Sequence, residues 1–179
     1  MQAPPKTPSP LNERIDVQKV LITGGTGFLG SYIVDAVVEQ YPEWKVTVLD
    51  LNPPTLSTLK VDCEVGDVTN ATLVNAIVYR VRPDVIIHTA GLVPELGGRY
   101  GREQEARVSD VNVNGTRNML VAAGNAGVSA FVWTGSCCAV TYDMRYRYAN
   151  IDERWPVTSR SLIYGESKVG LEILQKAVC

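Results

Sequence analysis

The chain has 179 residues, 45% hydrophobic and 20% charged, with 17 basic and 19 acidic residues and a net charge of −2. That length suits one good-sized domain, and the balance is that of an ordinary globular chain. A basic stripe for nucleic acid or an anionic membrane surface is excluded, and no apolar run reaches the ~18 residues a spanning helix needs.

The first ten residues, MQAPPKTPSP, carry four prolines and no apolar run. This composition predicts a disordered tail over 1–14 and argues against a secretory signal. From Lys19 the pattern becomes regular. Val20, Leu21 and Ile22 form a short apolar run, the signature of a strand buried on both faces. A glycine cluster follows, then Leu29, Ile33 and Val37 at helical spacing over 28–40, with Pro42 as a stop. A second strand, Val46–Leu49, ends in Asp50. Strand, glycine turn, helix and strand make one βαβ unit.

The alternation goes on with a short strand near Val61–Val65, a helix over Asn70–Arg80 closed by Pro83, and an apolar strand at Val85–Ile87. The glycine-rich stretch 92–101 predicts a loop at the carboxyl edge of the sheet. One long helix is expected over 105–125 with Gly127 as its cap, then a fifth strand, Ala130–Thr134, and a last helix over 164–177. Strands alternating with helices predict an α/β, doubly wound parallel sheet with right-handed crossovers. Residues 15–179 are expected to form one nucleotide-binding domain.

Four cysteines, Cys63, Cys137, Cys138 and Cys179, lack CxxC spacing, and His88 is the single histidine. A zinc site is not expected. The cysteines predict buried thiols in a reducing compartment, Cys137 and Cys138 pointing to opposite faces of a strand.

Gly24, Gly27 and Gly30 lie in TGGTGFLG, between the first strand and the first helix. A Cβ at Gly24 would obstruct the turn, one at Gly27 would block a pyrophosphate, and one at Gly30 would push the helix off the strand. The pyrophosphate would rest on the amides of the helix head around Phe28 and Leu29, where the macrodipole favours negative charge. Asp50, 20 residues after Gly30, stands where a carboxylate accepts the adenosine ribose hydroxyls and repels a 2′-phosphate. No Arg or Lys lies between Asp50 and Leu59, so NAD is expected over NADP. The alternatives are a βα turn without ligand and a solvated strand-end carboxylate.

Tyr164 and Lys168, in YGESK, are four residues apart, neighbours on one helix face. Alone, the pair also fits a surface helix. A free phenol with pKa ≈ 10 is a poor base near neutrality, and two positive charges, Lys168 and an oxidised nicotinamide, would favour its phenolate.

The GxxGxxG spacing resembles the extended short-chain dehydrogenase/reductase superfamily, and so a Rossmann-type sheet of order 3-2-1-4-5. Asp67 and Val68 look like the pair that meets adenine in that family. His88-Thr89-Ala90-Gly91 matches its strand-four segment, which puts Ala90 beside the cofactor, and Asn112 matches a helix position that steadies the active site. His88 itself is expected to be a hydrogen-bonded structural residue. The resemblance makes Tyr164 the acid/base, gives Lys168 the nicotinamide ribose, and gives Ser136 the substrate oxygen. Gly135 departs from the serine usual there, and Cys137-Cys138 follow.

FVWTGS and YGESK together are most similar to the 3β-hydroxysteroid dehydrogenase/isomerase group, including the sterol dehydrogenases. This implies NAD-dependent oxidation of a ring hydroxyl, the 3β-hydroxyl of a steroid or sterol, to a ketone. Nucleotide-sugar epimerases are the alternative, although Ala139-Val140-Thr141 lacks their aromatic and glycine. Dehydratases usually carry an Asp-Glu pair after this strand, which the two cysteines cannot replace. The chain stops 11 residues after Lys168, and the family's C-terminal substrate lobe is expected to be absent. A non-catalytic NAD-binding module therefore stays open. Relatives often dimerise through helices such as those at 105–125 and 164–177, and the resemblance leaves a homodimer open without the chain itself deciding the oligomeric state. The expected compartment is the cytoplasm, or the cytoplasmic face of the endoplasmic reticulum for a longer, anchored form.

Overall fold

The computed structural model describes residues 19–52, 61–94, 102, 104–139 and 163–169. Along the chain run β1 (Lys19–Thr23), α1 (Phe28–Gln40), β2 (Lys45–Asp50), β3 (Asp62–Val65), α2 (Ala71–Val81) and β4 (Val85–His88). They are followed by α3 (Glu105–Ser109), a π-helical turn (Asp110–Gly115), α4 (Thr116–Ala126), β5 (Ala130–Trp133) and a 3-10 turn (Cys137–Ala139). A last helical segment, α5, covers 163–169. The predicted tail over 1–14, most of the 92–101 loop and the helix beyond 169 lie outside the described residues.

All strand pairs are parallel, in the order β3-β2-β1-β4-β5. Successive residues of the central strands feed opposite faces, as a two-residue period dictates. Leu21, Leu49 and Ile86 face Val74, Ile77 and Val78 of α2 and Met119, Ala122 and Ala123 of α4. Val20, Ile22, Val46 and Val48 face Val34 of α1. Burial on both faces explains why β1 and β2 are continuous apolar runs.

Local chemistry fixes the ends. Asn70 caps α2, its side-chain oxygen accepting the Leu73 amide at 3.0 Å. Gly127 (φ +69°) ends α4 in the left-handed region, its amide reaching the Ala123 and Gly124 carbonyls.

Two expectations are corrected. The single helix over 105–125 is interrupted by the π turn, because Asn112 is drawn inward and Gly115 lies where a Cβ would meet Val68 Cγ2 at 2.7 Å. An extra residue in the turn serves both, and an apolar period does not reveal such an insertion. The thiols are not uniformly buried. Cys63 is exposed on the edge strand β3, and Cys137 is exposed on the 3-10 turn, where the two-face alternation of a strand does not apply.

Candidate active site

The carboxyl ends of β1, β2, β3 and β4 open onto one cleft of about 840 Å³, the place where a doubly wound sheet receives its ligand. Gly24, Gly27, Phe28, Leu29, Gly30, Asp50, Asp67, Val68, Ala90, Tyr164 and Lys168 all line it. Ser136 is not part of that lining, and its side-chain hydrogen bond is felt at the Tyr164 phenol.

The glycine turn is held from within. Gly24 has φ +69°, and a Cβ there would come within 2.8 Å of the Ala90 backbone. At Gly30 a Cβ would overlap the Gly24 carbonyl oxygen, so the third glycine closes the helix against the turn itself rather than against the strand. Gly27, extended at φ −76° and ψ 173°, begins α1 with no side-chain cap, and no acidic residue occupies the first turn. The amides of that turn are therefore offered to the cleft, a cradle of the size and polarity for a diphosphate.

Asp50 Oδ2 accepts the Thr26 amide at 3.0 Å and Oδ1 the Asn52 amide at 3.3 Å. The carboxylate thus braces the glycine turn while facing the cleft. Asp67 Oδ1 accepts the Thr69 amide at 2.8 Å, turning the chain so that buried Val68 lies under the cleft and against Gly115.

Tyr164 and Lys168 line the same cleft. Lys168, 4% exposed, donates from Nζ to the Thr134 carbonyl at 3.0 Å, and Nζ lies 5.6 Å from the Tyr164 ring centre. Burial pushes its pKa down to about 8. Burial pushes the Tyr164 phenol up, against the hydrogen bond from Ser136, which pulls it down. Desolvation is the largest influence on the phenol of the chain alone. Ser136 is oriented by the Cys138 amide, which donates to its Oγ at 3.2 Å.

The model of the 3-beta hydroxysteroid dehydrogenase/isomerase family matches residues 21–174. The chain belongs to this family. Among family relatives, a 3-beta-hydroxysteroid dehydrogenase of Mycolicibacterium neoaurum is 37% identical over 162 residues, covering 89% of this chain and 43% of that protein. A decarboxylating sterol-4-alpha-carboxylate 3-dehydrogenase of Candida albicans is 31% identical over 165 residues, covering 87% and 45%. The chain thus spans less than half the length of these two curated relatives. A Thermus thermophilus UDP-glucose 4-epimerase solved in complex with NAD superposes with a TM-score of 0.72 at 26% identity, over 89% of this chain and 50% of that one.

Several residues in and around the cleft escaped the sequence reading. Gly25 sits where a Cβ would meet Val48 Cγ1 at 2.6 Å, and the doubled glycine in TGGTG was its signal. Arg107, Asp110 and Val111 reach the cleft from α3 and the π turn, and Thr134 supplies the carbonyl that anchors Lys168. Ser167, inside YGESK itself, accepts from Asn112 Nδ2 at 3.0 Å and donates to the Tyr164 carbonyl at 2.7 Å. No helix among the described residues is long and apolar enough to cross a membrane.

Proposed function

We propose that this chain is the cofactor-binding part of a NAD-dependent dehydrogenase that oxidises a ring hydroxyl to a ketone, the 3β-hydroxyl of a steroid or sterol. The observation that carries the reading is that one cleft joins an uncapped glycine turn and Asp50 at one end to Tyr164 and Lys168 at the other. The family relatives, a steroid and a sterol 3-dehydrogenase, support the substrate class.

NAD, when bound, supplies the hydride acceptor. The α1 amides hold its pyrophosphate, and Asp50 takes the adenosine ribose hydroxyls and repels a 2′-phosphate. Asp67, Val68 and Ala90 border the adenine side. Lys168 holds the nicotinamide ribose, and Ser136 binds the substrate oxygen. Tyr164 takes the alcohol proton at its phenolic oxygen. The oxidised cofactor would add a positive charge to that of Lys168, and both would favour the phenolate against the burial that holds the phenol up.

NADH titration followed by fluorescence, and turnover of a 3β-hydroxysteroid with NAD, test the reading. Tyr164→Phe is expected to keep NADH affinity within about fivefold and to abolish turnover, since one neutral hydrogen bond is worth about 1 kcal/mol or less in binding. Turnover by Tyr164→Phe would refute its role. NADH binding with no steroid oxidation would cut the reading back to cofactor binding alone.

A further inference from the structure

His88 is the chain's single histidine, and the chemistry proposed above does not use it. It ends β4 at 0% exposure, its ring centre 5.9 Å from that of Phe131. Two hydroxyls hold the imidazole: Thr23 Oγ1 lies 2.6 Å from Nδ1 and Thr116 Oγ1 lies 2.8 Å from Nε2.

Which nitrogen carries the hydrogen follows from the donors available. The Thr116 hydroxyl has one hydrogen, and its 2.7 Å bond to the Asn112 carbonyl uses it. Toward the ring, Thr116 can only accept, so Nε2 is protonated and Nδ1 is bare. The Thr23 hydroxyl then donates to Nδ1, while its oxygen accepts the Ala90 amide at 3.3 Å. Every bond in this series runs one way, from the Ala90 N–H through Thr23, His88 and Thr116 to the Asn112 carbonyl.

Asn112 is where the series meets the catalytic side. Its Oδ1 accepts the Leu92 amide at 2.7 Å, and its Nδ2 donates to the Leu92 carbonyl and to Ser167 Oγ, both at 3.0 Å. Ser167 in turn holds the Tyr164 carbonyl at 2.7 Å. Ala90 and Leu92 line the cofactor end of the cleft, and Tyr164 lines the other.

We propose that His88 is a positioning residue, locked as the neutral Nε2–H tautomer in a directed hydrogen-bond series that sets the β4 loop and the Tyr164–Lys168 helix as one unit. The effect on cofactor rests on the NAD reading above; the tautomer does not. The neighbours that hold the ring, Thr23, Thr116 and Phe131, are neutral, and the charged group that reaches it is Lys168 on α5. Burial first, and that ammonium second, push the imidazole pKa down to about 3. A ring kept neutral is what a fixed donor at one nitrogen and a fixed acceptor at the other require.

Two measurements on the 179-residue chain test this. Nitrogen NMR of its single imidazole is expected to show a protonated Nε2 and a bare Nδ1, unmoved from about pH 4 to about pH 8, a range in which a free histidine titrates. A protonated Nδ1, or titration within that range, overturns the proposal whether or not NADH binds. In the second, Thr116→Val removes the hydroxyl outside the cleft lining and is expected to weaken NADH binding about fivefold, the worth of one hydrogen bond. Thr116→Ser keeps the hydroxyl and is expected to bind like wild type. Unchanged affinity in Thr116→Val, or equal losses in both variants, overturns the coupling. Failure of NADH to bind wild type refutes the NAD reading instead, and the imidazole signals then decide the tautomer alone.

Discussion

Gly30→Ala and Gly124→Ala make the same chemical change in two helices and should shift stability in opposite directions. An added Cβ at Gly30 overlaps the Gly24 carbonyl oxygen and lies 2.7 Å from its carbon and 2.8 Å from Gly25 Cα. All three are backbone atoms, so no rotamer change relieves the contact. Helix propensity returns about 1 kcal/mol for replacing glycine by alanine, whereas overpacking against a fixed neighbour costs about 1–3 kcal/mol and more where backbone must move. The net expectation is a loss of about 2 kcal/mol, a fall in Tm of about 4–8 °C for a chain of this size. At Gly124 nothing lies within 4 Å of the added atom. There the propensity gain stands alone, and Tm should rise by about 2–4 °C. Thermal melts by circular dichroism read both, and an NADH titration should show at least a tenfold loss, about 1.4 kcal/mol, for Gly30→Ala alone. A Gly30→Ala chain that melts at or above the wild-type temperature would refute the reasoning.

Charge at the cleft gives two further expectations. The folded pKa of Lys168, about 8, lies below its ordinary value of 10.5, so between those values the unfolded chain binds more protons and stability rises with pH. Below about pH 8 both states are protonated and the fold bears the whole penalty. Lys168→Met should therefore melt higher than wild type at pH 7, bind NADH more weakly, and lose its thermal advantage between pH 8 and 10.5; a gap that does not change with pH would count against this. His88 titrates near 3 when folded and 6.5 when free, so as pH falls through that window the unfolded chain gains a proton the fold refuses. Stability present above pH 6.5 is lost toward pH 3 at up to about 1.4 kcal/mol per unit. Urea unfolding of His88→Asn at pH 7, 5 and 4 should show a flatter acid limb than wild type, and matching limbs would exclude His88 as the cause.

What was legible in the sequence is what repeats. Alternating apolar runs exposed every strand of the sheet, and glycines with a defined spacing exposed the turn, because both are periods that backbone geometry imposes. The order of the strands and the Tyr164–Lys168 pair came from the family resemblance instead. The π turn was hidden because Asn112 and Gly115 answer contacts with Leu92, Ser167 and Val68, all distant in sequence. Thiol exposure was misjudged because Cys137 sits on a 3-10 turn, where the two-face alternation of a strand does not apply.

The unfavourable features of the fold gather on one side. The α1 head is left uncapped, whereas α2, which does not line the cleft, has Asn70 on the Leu73 amide. Buried Lys168 is held below its ordinary pKa and Tyr164 above its own, at the other end of the same cleft. If the bare head of α1 is kept for a diphosphate, a side chain that satisfies it should stabilise the free chain and disable binding together. Gly27→Asp is that change: φ −76° and ψ 173° are cap angles, and the nearest atom to the new Cβ is the Gly24 oxygen at 3.2 Å. The cap and its charge on the helix dipole are worth about 1 kcal/mol, a rise in Tm of about 2–4 °C without ligand. The same carboxylate would sit against a bound phosphate, and repulsion of about 1–4 kcal/mol weakens NADH at least about fivefold. Opposite signs in the two assays identify amides reserved for an anion. A Gly27→Asp chain that is stabilised yet binds NADH like wild type would place the dinucleotide elsewhere, because no phosphate could share those amides with a carboxylate already on them.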